Sequence, residues 1–104
     1  MEARSQAAKP NASDLFDLER PWRLHEQVSL RPEPFGALAY HFGTRRLSFL
    51  KSRKLLAVVV GLERQPSGRA ACLAAGVDAA QLPAYARALQ TLAASGMIDE
   101  RPLS

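Results

Sequence analysis

The sequence has few of the residues from which catalytic and metal sites are built. It contains one cysteine, Cys72, which excludes an internal disulfide and any metal site with several cysteines from one chain. Its two histidines, His25 and His41, have no short ligand spacing to each other or to Cys72. It also lacks a glycine-rich phosphate loop, because its glycines are spread among predicted turns and a helix. The sequence therefore predicts no enzyme, no metal site and no cofactor.

Long hydrophobic runs are also missing. The longest one, Leu55 to Val60, is far too short to span a bilayer. The N-terminal residues lack the apolar core of a signal peptide. These two absences predict a cytoplasmic protein that has no membrane partner.

Acidic residues are missing from a little over a quarter of the chain. No aspartate or glutamate occurs between Phe35 and Leu62, and the whole chain has a formal charge of +4 and a pI near 9.8. A basic balance admits nucleic acid, acidic peptides or anionic lipid as partners. The cations of the acid-free stretch suit an acidic, extended partner, or they protect an exposed sheet edge from aggregation. They are Arg45, Arg46, Lys51, Arg53 and Lys54.

At 104 residues, of which 47% are hydrophobic, the chain has the length of one domain. Within residues 37–42 the larger apolar side chains, Leu38, Tyr40 and Phe42, recur at every second position. This period of two predicts a strand with these three side chains on its packed face. The Gly-Thr pair at 43–44 suits a two-residue type II′ turn, so the stretch predicts a β-hairpin.

The alternation continues on both sides of this strand. Leu47 and Phe49 alternate with polar residues and predict the second strand of the hairpin. Residues 22–31 contain a further strand, which Pro32 and Pro34 are predicted to end because proline cannot donate to a strand ladder. Together the three strands predict an antiparallel meander.

Three helices are predicted after the strands. Ser52 suits the N-cap of a helix to about Glu63, although the β-branched run Val58 to Val60 leaves a fourth strand as the alternative. Ser67 is positioned to cap a short helix to Ala75, which the following glycine would end.

The last helix is predicted to begin near Leu82, because Pro83 is tolerated in a first turn, and Asp78 precedes it as a cap. The predicted fold is α+β, with a three-stranded antiparallel sheet followed by three helices, as in a winged helix-turn-helix. Its domain is predicted over 21–98, between a disordered tail at 1–20 and a frayed C-terminus at 99–104.

Helix-turn-helix connectivity in a basic chain makes a nucleic-acid-binding protein the alternative function. A recognition helix carries cations or amides toward the bases, whereas residues 79–98 contain Arg87 as their only cation. The outward face of the last helix is small and alanine-rich. Such a face beside a strand edge suits the addition of an extended peptide to the sheet instead.

The segment Asp14 to Glu19 mixes acidic and apolar residues. Its pattern resembles that of an acidic peptide ligand. Two interpretations remain open: an arm that binds the chain's own basic edge and competes with the true ligand, or a solvated linker.

Two stretches carry a family resemblance. WRLHEQVSLRPEPFGALAYHFGTRRLSFLKS, Trp22 to Ser52, and LPAYARALQTLAASGMI, Leu82 to Ile98, resemble the peptide chaperones of mycofactocin biosynthesis. That family is a stand-alone RiPP recognition element, similar to the chaperone of pyrroloquinoline quinone synthesis. The resemblance covers about half of the chain.

The resemblance implies a winged-helix-like fold and a non-enzymatic role. Such a protein binds the leader of a short acidic precursor peptide as an added strand and presents the peptide to a radical-SAM maturase. It implies no nucleic-acid partner, and the oligomeric state stays open. The residues implied to contact the peptide are Arg45, Arg46, Leu47, Ser48, Phe49, Leu50, Lys51, Tyr85, Ala88, Leu89 and Leu92.

Overall fold

The computed structural model describes residues 16–102, and these form an α+β fold in which the main sheet precedes three helices. A 3-10 turn at Leu62–Arg64 follows the first helix. The strands are β1 Trp22–Leu24, β2 Val28–Glu33, β3 Gly36–His41, β4 Arg46–Leu50 and β5 Ile98–Glu100. The helices are α1 Arg53–Gly61, α2 Gly68–Ala74 and α3 Leu82–Ala94. The predicted fold class is confirmed, and the likeness to a winged helix remains a prediction.

The main sheet has the order β2-β3-β4 and is antiparallel throughout. The strand predicted over residues 22–31 is in fact two strands, because the backbone turns after β1. There the amide of His25 donates to the carbonyl of Met97, and β1 pairs with β5 in a second sheet. Pro32 lies inside β2 rather than ending it, because β2 is an edge strand and tolerates a missing donor.

The packed face of β3 is the reverse of the predicted one. Ala37, Ala39 and His41 are buried, whereas Tyr40 and Phe42 are exposed. The physical reason is the close approach of α1, which packs on β3 and leaves room only for short side chains at 37 and 39. The predicted period of two is therefore right, and its assignment to inside and outside is wrong.

The hairpin loop also differs from the prediction. Four residues, 42–45, connect β3 to β4, and the residue with a positive φ is Arg45 at 65° rather than Gly43. The Nδ1 atom of His41 accepts hydrogen bonds from the amides of Gly43 and Thr44, each at 3.1 Å. A buried imidazole thus fixes the loop, although the predicted packed face of this strand left His41 on the other side. Four-residue hairpin loops of this kind are common.

The caps predicted at Ser52, Ser67 and Gly76 are present, whereas the one predicted at Asp78 is not: the N-cap of α3 is Gln81, and Asp78 accepts from the amide of Gln81 at 2.9 Å in the turn before the helix. Ser52 accepts from the amide of Leu55 at 2.9 Å, and residues 58–60 are helical rather than a fourth strand. Ser67 accepts from the amide of Ala70 at 3.0 Å, and Gly76 has a φ of 93° after α2.

Both ends of the domain are more extensively packed than predicted. Phe16 stacks on Trp22 with ring centroids 4.8 Å apart, and the indole N–H of Trp22 donates to the carbonyl of Asp17 at 2.8 Å. Residues 16–20 therefore belong to the domain and not to a tail; residues 1–15 lie outside the described residues.

The predicted frayed C-terminus also differs from the structure, since residues 98–100 form β5. The guanidinium of Arg101 donates to the carbonyls of Leu62, Glu63 and Gln65 at 2.8–3.0 Å. These contacts fasten the end of the chain to the turn after α1.

The core lies between the main sheet and the helices. Its largest fully buried side chains belong to Leu50, Leu62, Leu89, Met97 and Ile98. Within residues 16–102, no helix is both long enough and apolar enough to cross a membrane.

Candidate peptide-binding site

β4 is an edge strand. It pairs with β3 on one side, from His41 opposite Arg46 to Ala37 opposite Leu50, and no strand among residues 16–102 pairs with its other side. Its free edge adjoins α3 across a groove. An edge strand presents backbone N–H and C=O groups that another extended chain can bind.

The groove between β4 and α3 consists of two adjoining parts that share Lys51, Leu55 and Ala88. The larger part has a volume of about 310 Å³ and the smaller one of about 140 Å³. The lining is mostly apolar or small, which suits the side chains of an added strand. The residues that line the groove are Ser48, Phe49, Lys51, Ser52, Leu55, Ala84, Tyr85, Ala88, Thr91 and Leu92.

The width of the groove follows from the small residues of α3. Ala84 and Ala88 are four positions apart and therefore lie on one side of the helix. A larger side chain at either position would occupy the space beside the strand. At the narrower end the hydroxyl groups of Ser52 and Tyr85 lie 3.4 Å apart and connect the start of α1 to α3.

The structure brings together six of the eleven residues that the resemblance implied. Ser48, Phe49, Lys51, Tyr85, Ala88 and Leu92 all line the groove. Leu50 and Leu89 lie beneath it in the core, with exposures of 1% and 0%, so their side chains cannot contact a ligand directly. Arg45, Arg46 and Leu47 are exposed at the hairpin end of β4 and do not line the groove.

Sequence reasoning missed four lining residues. Thr91 and Ala84 were visible in the small outward face predicted for the last helix, without being assigned to the site. Ser52 is the N-cap of α1 and Leu55 lies in its first turn; α1 follows β4 after two residues. Their place in the groove depends on how α1 and α3 pack, and no sequence pattern contains that information.

The cations of the acid-free stretch divide into two groups. Lys54 donates to the carbonyl of Gly76 and to the side chain of Gln81, and Arg53 donates to the carbonyl of Pro34. These two have structural partners.

The other three cations are Arg45, Arg46 and Lys51. Each is exposed, and none has a carboxylate within 4.0 Å among residues 16–102. They lie at both ends of β4, so the free edge has positive charge without local compensation.

The acidic arm does not bind this edge in the part of it that the structure describes. Glu19 pairs with Arg69 at 2.6 Å, and the carbonyl of Leu18 accepts from the amide of Arg69 at 2.9 Å. Residues 16–19 thus pack beside Trp22 and the start of α2. The hypothesis that this arm competes for the basic edge is wrong for these residues, and Asp14 and Leu15 lie outside the described range.

The two histidines lie together although the sequence separates them. The ring centroids of His25 and His41 are 4.5 Å apart, and the Nδ1 atom of His25 accepts from the amide of Gln27. Both Nδ1 atoms are therefore engaged by backbone amides. No group of three or more His, Cys, Asp or Glu side chains suited to a metal ion occurs within residues 16–102.

Comparison with known proteins identifies the family. The model of the peptide chaperone MftB family matches residues 21–99. Peptide chaperone MftB of Mycobacterium tuberculosis is 54% identical over 99 residues, which cover 95% of this chain and 90% of that protein. The protein of the same name from Mycobacterium ulcerans is 56% identical over 96 residues, which cover 92% and 86%.

A third relative, peptide chaperone MftB of Mycolicibacterium smegmatis, is 54% identical over 83 residues, covering 80% of this chain and 81% of that protein. No solved structure matches the chain. The chain therefore belongs to the peptide chaperone MftB family, and this membership supports a non-catalytic peptide chaperone role in mycofactocin biosynthesis.

Proposed function

We propose that this protein binds the leader of an acidic precursor peptide as an additional strand on β4 and presents the peptide to a radical-SAM maturase. The observation that carries the proposal is the edge of β4 beside the groove: within residues 16–102 no strand pairs with this edge, and the cations at both of its ends have no carboxylate within 4.0 Å. The protein itself supplies no chemistry to the bound peptide.

In strand addition the edge of β4 and the groove have different roles. The peptide backbone bonds to the free edge of β4, and this contact gives affinity for any extended sequence. Every second peptide side chain points into the groove, because side chains alternate along a strand. The groove then selects apolar side chains through Phe49, Leu55 and Leu92.

The cations select against basic peptides. Arg46 and Lys51 stand at opposite ends of β4, so acidic residues at both ends of a bound segment would find a positive partner. Such exposed pairs are worth about 0.2–1 kcal/mol each, so they add selectivity and a faster association rather than most of the affinity.

Charge reversal tests this electrostatic part. We expect Arg46→Glu to weaken binding of the purified precursor peptide by about fivefold to tenfold, and the affinity of the wild type to fall with salt. Arg64→Glu is the matched control, because Arg64 is also an exposed arginine, lies on the 3-10 turn and does not line the groove. Equal affinities for the two variants would refute the placement of the peptide.

Hydrogen exchange tests the strand addition directly. Amides along Arg46–Leu50 that face the free edge should exchange more slowly in the complex, because they become bonded to the peptide. Protection limited to α3 would instead place the peptide on the helix, and the proposed strand addition would be wrong.

A further inference from the structure

On the outer face of the main sheet the side chains of β3 and β4 are apolar, β2 contributes the polar residues Ser29, Arg31 and Glu33, and no element within residues 16–102 covers the face. It is the face opposite the helices, and side chains from β3, β4 and the adjoining turns meet on it. Tyr40 lies opposite Leu47, and Leu38 lies opposite Phe49. Phe35 contacts the ring of Phe49, with centroids 6.0 Å apart. Leu38 is half-buried, and the other four side chains are exposed, as is Phe42 in the hairpin loop. Their exposures are 45% for Phe35, 36% for Tyr40, 55% for Phe42, 60% for Leu47 and 57% for Phe49.

Folding does not require this face to be apolar. The opposite face of β3 already fills the core with Ala37, Ala39 and His41. A sheet with one solvated face ordinarily alternates apolar and polar residues, with the polar ones outward. A continuous exposed cluster of aromatic and aliphatic side chains is characteristic of a protein interaction surface.

Charge indicates what kind of partner fits the face. Residues 36–61 contain no carboxylate, and Arg45 and Lys51, which adjoin the two ends of β4, have no acidic partner among residues 16–102. Glu33, which β2 places on this face, is paired with Arg31 at 2.8 Å. A second copy of the chain would bring these cations against each other. A partner with an apolar patch bordered by carboxylates complements the face instead.

The position of the face indicates which step the partner performs. β4 contributes Phe49 both to this face and to the groove, so the two surfaces are continuous across one strand. A peptide added beside β4 would extend the sheet by one strand at a spacing of about 4.8 Å. Its outward side chains would continue the same face, and a protein docked there would contact chaperone and peptide together.

We propose that this outer face is the docking surface for the enzyme that modifies the bound peptide, which meets it with an apolar patch bordered by carboxylates. The proposal rests on the function proposed above and adds the surface through which presentation occurs. Peptide and enzyme then occupy different sides of β4 and bind at the same time.

The test uses the outer-face variant Tyr40→Thr/Phe42→Thr. Neither residue lines the groove, and threonine suits the extended backbone of Tyr40 in β3. The matched control is Val60→Thr/Leu73→Gln, which removes apolar side chains of similar exposure, 50% and 56%, from α1 and α2. The measured quantities are the affinity of each full-length variant for the purified precursor peptide, and the affinity of the purified radical-SAM maturase for the chaperone loaded with that peptide.

We expect the outer-face variant to bind the maturase at least about tenfold more weakly, as loss of central aromatic contacts does in other interfaces. Its affinity for the peptide should stay within about twofold of the wild type, and the control variant should match the wild type in both measurements. This pattern separates the docking surface from the peptide site.

Four outcomes would overturn the inference. Unchanged maturase affinity in the outer-face variant would remove the docking surface and leave the peptide chaperone function intact. A wild-type chain that fails to bind the peptide would remove the proposed function itself. A wild-type dimer that the double substitution dissociates would assign the face to a second copy. Binding to vesicles of phosphatidylglycerol and phosphatidylcholine that the substitution abolishes would assign it to a membrane surface.

Discussion

Gly36 offers a sharp test of how the proposed peptide-binding edge is held in place. It begins β3 with a φ of 152°, a conformation that residues with a side chain rarely adopt. A Cβ atom at this position would lie 2.0 Å from the carbonyl oxygen of Leu50 and 2.9 Å from the backbone N and O of Ser52. The backbone of β3 therefore touches both the end of β4 and the cap of α1. We predict that Gly36→Ala displaces both.

The magnitude follows from two costs. A residue held in an unfavourable region of φ and ψ costs about 1–3 kcal/mol. Inserting a methyl group against backbone that cannot rotate away costs about 1–3 kcal/mol more. The sum of about 2–6 kcal/mol is a large part of a typical free energy of unfolding of about 5–15 kcal/mol.

Gly61 supplies the matched control, because a Cβ atom added there would contact no other atom of residues 16–102. It ends α1 with a φ of −81°, and no atom lies within 4 Å of an added Cβ. Alanine in place of a helical glycine stabilises by about 0.5–1 kcal/mol. The two substitutions thus add the same methyl group but are expected to change the free energy of unfolding in opposite directions.

Urea denaturation followed by tryptophan fluorescence measures both variants. Trp22 is the only tryptophan and is 6% exposed, so its emission reports loss of the core. With an m value of about 2 kcal/mol/M, Gly36→Ala should lower the midpoint by about 1–3 M, and Gly61→Ala should raise it slightly. A midpoint for Gly36→Ala within about 0.3 M of the wild type would show that the junction of β3, β4 and α1 is not rigid, and the reasoning would fail.

Three further predictions use the same denaturation assay. Arg101→Ala should lower the free energy of unfolding by about 1–3 kcal/mol because three carbonyls lose their donor. Arg101→Lys should recover only part of this stability, since an ammonium group lacks the planar fork of a guanidinium, and equal stability of Arg101→Lys and the wild type would contradict this. His41→Phe should lower the free energy of unfolding by about 1–3 kcal/mol because the amides of Gly43 and Thr44 lose their acceptor. His41→Asn keeps an acceptor and should lower it less; the reverse order would refute the role of the imidazole in the loop. Burial raises the pKa of the Cys72 thiol, so its contribution is complete below the unfolded pKa of about 8.5 and is lost as the pH rises through the folded pKa. The free energy of unfolding should therefore fall less steeply from about pH 8 to 10 in Cys72→Ala than in the wild type, and parallel curves would argue against it.

Local rules predicted the local structure well. The caps at Ser52 and Ser67 depend only on a side chain and an amide three residues later, and both are present. The β3–β4 hairpin and the start of α3 at Leu82 also follow from nearby residues. Such features need no knowledge of the rest of the fold.

Features decided by distant contacts could not be predicted in this way. The period of two in β3 is compatible with either face inward, and α1 decides between them by approaching Ala37 and Ala39. The hairpin loop depends on the buried imidazole of His41, and β5 depends on a pairing with β1 more than 70 residues away. Hydrophobic size alone favoured the wrong face because it ignores the space that a helix leaves.

The candidate site shows the same division. The edge strand and the small face of α3 were both visible in the sequence, since each is a property of one element. Leu55 and Thr91 entered the site only with the structure, because a groove is a property of the distance between elements. Family resemblance supplied the function proposed for the site, while the structure supplied its lining.

The reversed face of β3 has a consequence that connects the core to the docking proposal. Because Ala37 and Ala39 let α1 approach closely, β3 packs against the core through small side chains. The outward side chains of β3 do not contribute to the core. Serine or threonine at position 40 or 42 would leave the core unchanged and would remove exposed apolar surface. Tyrosine and phenylalanine stand there instead, beside Leu47 and Phe49 on the strand that offers the free edge. Core packing explains why alanine rather than a larger residue stands at positions 37 and 39, and the proposed docking surface would explain the large apolar residues at positions 40 and 42.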